Sequence, residues 1–194
     1  MAKIQTVVLV LCVLALAFVM GEAQDLSKYE PLKEPQINKM PQQKMLVVEA
    51  KGDPNIVAQD AFSLLFKTFF SLKGVQMSPP RARWLNVFTD PKEEWIGLYG
   101  LHLPESITEL PSDTEGARIE HWDYGEVAEI LHIGPYSEET PTIIKLHKFI
   151  QEKGYQISGP HEEVYLKGPG MASDPSEYWT IIRYQIRRGS GQAK

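Results

Sequence analysis

The sequence predicts an α+β fold, built from two β-α-β-β units in tandem that form one antiparallel sheet with both helices packed on one of its faces. Three observations point there. Lys73-Gly74-Val75-Gln76-Met77-Ser78-Pro79-Pro80 recurs as Lys153-Gly154-Tyr155-Gln156-Ile157-Ser158-Gly159-Pro160, matching at five of eight positions with an offset of 80. Each copy is preceded by a helix candidate with the same punctuation. Around both helices, short aliphatic runs occur in the same order.

In the first half, Lys44 to Lys51 reads as a strand that leads through Gly52 into a helix. Asp53-Pro54 supplies an N-cap and a proline at the first helical position, and Gly74 stands where the helix should stop. Between them Ile56, Val57, Ala61, Leu64, Leu65, Phe69 and Leu72 repeat at helical spacing. Arg83 to Phe88 and Trp95 to Leu103 are the next two strand candidates. The second half repeats this grammar: a strand from Glu126 to His132, Gly134, a helix opened by Thr140-Pro141 and closed by Gly154, then strands at Glu162 to Lys167 and Tyr178 to Arg187. The apolar face of that second helix is Ile143, Ile144, Leu146, Phe149 and Ile150. The halves therefore span about 44–104 and 125–188, joined by residues 104–125 with Pro104, Pro111 and Gly116.

Outside this domain of 44–188, three segments differ. Lys3 precedes an uncharged apolar run, Val7 to Met20, that ends in Gly21-Glu22-Ala23. The run is shorter than the roughly 20 residues of a comfortable membrane span, so 1–23 is expected to be a cleaved signal peptide, with an uncleaved membrane anchor as the alternative. That places the protein outside the cytoplasm, periplasmic or extracellular, or tethered to a membrane through residues 7–20. Residues 24–43 carry Pro31, Pro35 and Pro41 among polar residues and read as a flexible tether. Residues 189–194 read as a tail.

Composition narrows the function. Cys12, the single cysteine, lies in the leader, so the domain behind it has neither disulfides nor a thiol nucleophile. Removing residues 1–23 takes away Lys3 and Glu22 and leaves the net charge at −5, a balance that opposes phosphate tracking; no nucleic acid partner is expected. His102, His121, His132, His147 and His161 are scattered without a paired metal motif, so no metal site and no cofactor are expected. No Gly-x-Ser-x-Gly elbow or Walker loop occurs, and no catalytic residue is assigned. The Glu138-Glu139 pair, near a helix N-terminus, reads as dipole compensation.

Aromatic residues are the best physical argument for a ligand, because flat π-faces bind planar or cationic organic molecules. Trp95 and Tyr99 share a strand face, with Gly97 between them leaving space above the backbone. Trp179 shares its face with Ile181 and Arg183. Trp122, in the joining segment, could cover a cleft, and Tyr136 stands at a helix entry. Glu163 and Tyr165 share a face, where a carboxylate two residues from a phenol could bind a cation, orient a water or act as a general base.

Two segments carry a resemblance. Glu126-Val127-Ala128-Glu129-Ile130-Leu131-His132-Ile133-Gly134-Pro135-Tyr136 resembles the hydrophobic strand and Gly-Pro-Tyr turn of GyrI-like domains. Gly159-Pro160-His161-Glu162-Glu163-Val164-Tyr165-Leu166-Lys167-Gly168-Pro169 is similar to that family's Gly-Pro-x-x-Glu-x-Tyr-Leu-x-x-Pro segment. The family includes effector-binding halves of multidrug-responsive regulators and is related to SOUL haem-binding proteins. The resemblance implies a ligand cleft between the halves, lined by aromatics, with Tyr136, Glu163 and Tyr165 as contacts. It also implies an acid on the last strand where this chain has Ile181. Three functions follow: a module that binds or sequesters a small amphipathic or aromatic molecule, a hydrolase of electrophilic small molecules with Glu163 as base, or a non-catalytic protein-interaction module.

Overall fold

The computed structural model describes residues 25–85 and 90–189. The leader lies outside the described residues, as do 190–194 of the tail and 86–88 of the strand expected over Arg83 to Phe88. Eight antiparallel strands form one sheet: β1 (Gln36–Met40), β2 (Gln43–Lys51), β3 (Arg81–Trp84), β4 (Ile96–His102), β5 (Ala117–Trp122), β6 (Gly125–Ile133), β7 (Tyr155–Lys167) and β8 (Trp179–Arg188). Helices α1 (Pro54–Ser71) and α2 (Thr140–Glu152) stand between the first two strands of each unit.

The strand order, β1-β6-β8-β7-β3-β4-β2-β5, shows the duplication directly. From the centre outward one half runs β3-β4-β2-β5 and the other β7-β8-β6-β1, so equivalent strands hold equivalent places. The two halves meet where β3 and β7 pair antiparallel, which is the arrangement of a pseudo-twofold axis. The punctuation matches too. Gly52 and Gly134 enter the helices at φ +133° and +139°, and Gly74 and Gly154 leave them at φ +71° and +77°, all backbone conformations that glycine adopts without a Cβ penalty. Asp53 caps α1 as expected, its carboxylate accepting from the Asn55 N–H at 2.9 Å.

Strand register fixes which side chains share a face, since residues paired across antiparallel strands point the same way. One row crosses the sheet as Val48, Tyr99, Ala82, Glu163, Ile182 and Ile130. Its first half packs beneath Ala61, Leu65 and Phe69 of α1, and its second half beneath Leu146 and Ile150 of α2. Both helices therefore cover one face, and Glu163 stands between them.

The opposite face is the inside of a curl. β5 lies at one edge and β6 second from the other, six inter-strand spacings or about 29 Å apart in a flat sheet. Yet only Asp123 and Tyr124 join them, a link of at most about 11 Å. Pro41 and Gln42 join β1 to β2 by the same short crossing, and Gln42 Nε2 donates to Asp123 Oδ1 at 2.6 Å. The two edges must therefore approach at this end. Met45 and Val47 of β2 accordingly share a core with Val127 of β6, Trp122 and Tyr124.

Three expectations are corrected. Residues 24–43 do not form a tether throughout: Ser27–Lys33 is a 3-10 turn that buries Leu32 against Leu131, Val164 and Leu166, and β1 hydrogen-bonds along β6. The joining segment 104–125 contains the edge strand β5, paired with β2. β7 begins at Tyr155 rather than Glu162, with a register shift between Ile157 and His161 where Gly159 and Pro160 cannot continue the ladder regularly.

Candidate functional site between the helices

Glu163 occupies the centre of the helix-bearing face, on the middle strand β7. Its Oε1 accepts from Trp84 Nε1 at 3.2 Å and lies 3.1 Å from His161 Nε2, while Oε2 accepts from the Tyr165 hydroxyl at 2.7 Å. The side chain is 12% exposed, so it is enclosed but not sealed. Burial acts to raise its pKa, but the hydrogen bonds and charge of His161, with the donors on Tyr165 and Trp84, outweigh this and hold it below the ordinary carboxylate value. An anion thus stands in an otherwise aromatic surround.

That surround is contributed by both halves. Phe62 of α1 meets Tyr99 and Tyr165 edge-on at 4.9 and 5.9 Å between ring centres, and Tyr99 meets Trp84 edge-on at 5.8 Å. Tyr136 packs edge-on to Tyr165 at 5.6 Å and against Tyr178 at 5.3 Å. Burial, with the nearby Glu163 charge, pushes the Tyr99, Tyr136 and Tyr165 phenols up, so they are neutral hydrogen-bonding groups.

A second carboxyl faces the first. Glu139, at the N-cap of α2, is 6% exposed. Burial, then the charge of Glu163 and a hydrogen bond to it, push its pKa up to about 9. It is therefore a protonated donor to Glu163 at neutral pH, not the charge that offsets the helix dipole expected of it. Its Oε1 is buried without a hydrogen-bond partner. His161, 4% exposed, places Nδ1 2.7 Å from the Tyr184 hydroxyl. Glu139, His161 and Glu163 each offer one atom within 4.8 Å of the others, a donor set that could hold a metal ion.

The predicted site residues divide by face. Tyr99, Tyr136, Glu163 and Tyr165 converge between the helices. Trp95 stands at their edge, 5.9 Å from the Trp84 ring, with its indole N–H donated to the Asp90 carbonyl at 2.9 Å. The open space expected above Gly97 is filled by the Trp84 and Tyr99 rings. Trp122 and Trp179 lie on the opposite face: Trp122 is 3% exposed over Gly100, and Trp179 packs with Leu32, Leu131 and Ile181. Ile181 is on that face as well, so it does not floor the site around Glu163. Trp84, Phe62, Glu139, His161 and Tyr184 were missed. Strand alternation could have flagged His161, which shares the face of Glu163 and Tyr165, but the others depend on register and helix packing.

The curled face holds a separate charged cluster. Glu162 is 2% exposed and binds Arg83 Nε at 2.6 Å and Arg183 at 2.7 Å. Arg183 also binds Glu129 at 2.8 Å, Arg83 lies over the Trp122 ring, and Tyr124 hydrogen-bonds Glu162. Burial acts to raise the Glu162 pKa, but the charges of Arg183, Arg83 and Arg81 hold it below the ordinary range. Glu162, Arg83, Arg183 and Glu129 each have a charged partner within 2.8 Å, which marks an internal brace of the sheet.

The family model for a GyrI-like small molecule binding domain matches residues 33–187, a range that contains both units and the site around Glu163. The chain belongs to this family. Solved structures share its fold. An uncharacterised conserved protein from Listeria innocua is 24% identical, with 84% of this chain and 97% of that one covered at a TM-score of 0.73. A hydrolase from the same organism is 23% identical over 84% and 97%, at 0.69. The C-terminal domain of EcmrR is 12% identical over 80% and 98%, at 0.67; EcmrR has also been solved in a complex with DNA. At these identities the likeness is one of fold. No curated protein matches the chain.

Proposed function

We propose that this GyrI-like domain binds or sequesters a small amphipathic or aromatic molecule that carries positive charge, between α1 and α2. The observation that carries this reading is an ionised carboxylate, Glu163, surrounded by Trp84, Tyr99, Tyr136, Tyr165 and Phe62. A buried anion is costly even when hydrogen-bonded, and a desolvated cation over aromatic rings offsets that cost while gaining cation–π attraction. Inorganic cations gain little from the rings. Flat organic cations gain from both.

The test is a titration with a fluorescent aromatic cation and with a neutral aromatic of the same shape. Glu163→Gln keeps the shape and removes the charge, so it is expected to weaken the cation at least about tenfold, one 1.4 kcal/mol step, and to leave the neutral molecule unchanged. Equal loss for both ligands, or for neither, would refute the role of the charge.

One observation favours a second reading, a hydrolase of electrophilic small molecules. Glu139 is held protonated beside ionised Glu163, and carboxyl pairs with separated pKa values supply an acid and a base. Under that reading Glu163→Gln abolishes turnover while binding persists; turnover surviving the substitution would exclude it.

The site is placed outside the cytoplasm in this proposal. The support is the apolar run Val7 to Met20 with small residues after it, together with a cysteine-free domain. No helix among the described residues is long and apolar enough to cross a membrane. Protein from an exporting host should begin near Gln24; intact protein retaining Met1 in the membrane fraction would favour an anchor. The net charge of −5 supports a partner other than nucleic acid.

A further inference from the structure

We infer that Glu139, His161 and Glu163 form a binding site for a divalent transition-metal ion of the Zn2+ class, a second kind of occupant for the face described above. The inference rests on the same carboxylate as the organic-cation reading, so the two occupants compete for Glu163.

The first support is a polar atom that nothing satisfies. Glu139 Oε1 is buried without a partner on a side chain only 6% exposed, and such a group carries the full cost of its desolvation. It belongs to a set of three ligand atoms, two carboxylate and one imidazole, all within 4.8 Å of one another. Ligands about 2.1 Å from a tetrahedral zinc lie about 3.4 Å apart, and His161 Nε2 and Glu163 Oε1 are separated by 3.1 Å. Once the ion displaces the protons on Glu139 and His161, two carboxylates and one neutral imidazole around a divalent ion give a site of zero net charge, which suits an enclosed position.

The second support is the groups behind the ligands. A metal-bound histidine usually donates its other ring N–H to an outer acceptor, and His161 Nδ1 lies 2.7 Å from the Tyr184 hydroxyl. With Nδ1–H donated there, an ion that displaces the proton shared by Nε2 and Glu163 Oε1 takes up the Nε2 lone pair. The Tyr165 hydroxyl holds Oε2 of Glu163 at 2.7 Å and Trp84 Nε1 donates to Oε1 at 3.2 Å, so the carboxylate is fixed with Oε1 toward His161, where the ion would enter. Glu139 comes from the N-cap of α2, and the other two come from β7. The ion would therefore tie the helix to the sheet. No sequence motif announces the site, because Glu139 is 22 residues from His161.

The test uses Zn2+ alone by calorimetry and Co2+ alone by its visible absorption, on chelator-treated protein whose fold is checked by circular dichroism. The expected result is one equivalent bound, with both Glu139→Gln and His161→Gln weakening Zn2+ at least about tenfold and Tyr184→Phe weakening it about 10-fold to 100-fold. If His161→Gln fails to fold, Glu139→Gln decides alone, because it keeps the side-chain shape. Absence of Zn2+ and Co2+ binding by folded wild type, or binding that Glu139→Gln leaves unchanged, overturns the inference. The organic-cation reading fails separately: Tyr184→Phe, which removes only the hydroxyl beside His161, is expected to weaken Zn2+ and leave aromatic-cation affinity intact, whereas Glu163→Gln weakens both kinds of binding.

Discussion

Glu139 and Glu163 illustrate how one surround sets two carboxyls apart. Glu163 accepts hydrogen bonds that stabilise its charge, whereas Glu139 faces that charge from a buried N-cap and keeps its proton up to about 9. The consequence for stability has a definite sign. Between the ordinary value of 4.5 and about 9, the unfolded chain has released a proton that the folded chain retains, so stability falls as pH rises through this window. Glu162 and Glu163, both shifted down, act the other way and lose their contribution as pH falls below the ordinary carboxylate range. In chelator, thermal unfolding of the wild type should therefore show a midpoint that declines from pH 5 to pH 9, and Glu139→Gln should flatten that decline. Parallel curves for the two proteins would show that Glu139 titrates normally. Sequence reasoning read Glu139 as compensation of the helix dipole; only the packing of α2 against β7 turns it inward.

At the scale of elements, glycines decide where the large rings rest. A Cβ on Gly97 would lie 2.8 Å from the Trp84 ring and 3.0 Å from Tyr99, and one on Gly100, on the opposite face, would lie 2.9 Å from Trp122. Rings packed on both sides cannot retreat cheaply, so each alanine substitution should cost about 1–3 kcal/mol in urea denaturation. Their effects on binding should differ. Gly97→Ala displaces the indole that donates to Glu163 and should also weaken the aromatic cation, while Gly100→Ala should leave its affinity unchanged. Equal effects on binding would mean that the two faces are not separate in function. The strands and helices of the two units were legible because aliphatic runs, Asp53-Pro54, Gly74 and Gly154 are local signals. β1 and β5 were not, since Gln36–Met40 and Ala117–Trp122 are polar edge strands whose pairing supplies backbone hydrogen bonds without a hydrophobic period.

For the whole molecule, the duplication was visible in the recurring Lys-Gly segment, but its exact register was not. Residues at an offset of 80 keep step through the helix ends, yet Arg83 points into the curl while Glu163 points toward the helices. The shift of register in β7 at Gly159-Pro160 accounts for this, and it gives the two faces opposite chemistry from similar halves. One face is braced by Glu162, Arg81, Arg83 and Arg183; the other offers Glu163 amid aromatic rings. Breaking a buried ion network by removing one partner typically costs 3–5 kcal/mol, which fits a brace. Curling could not be read from sequence, because it follows from two short crossings whose effect depends on strand order.

The four tryptophans allow that division to be measured in one experiment, since each indole N–H gives its own nuclear magnetic resonance signal. Trp84 donates to Glu163, Trp95 stands at the edge of the same cluster, and Trp122 and Trp179 lie on the other face. During titration of nitrogen-15-labelled protein with an aromatic cation, the Trp84 signal should move most and Trp95 less, with Trp122 and Trp179 nearly still. Large movement of Trp122 or Trp179 while Trp84 remains fixed would place the ligand inside the curl and contradict a site at Glu163.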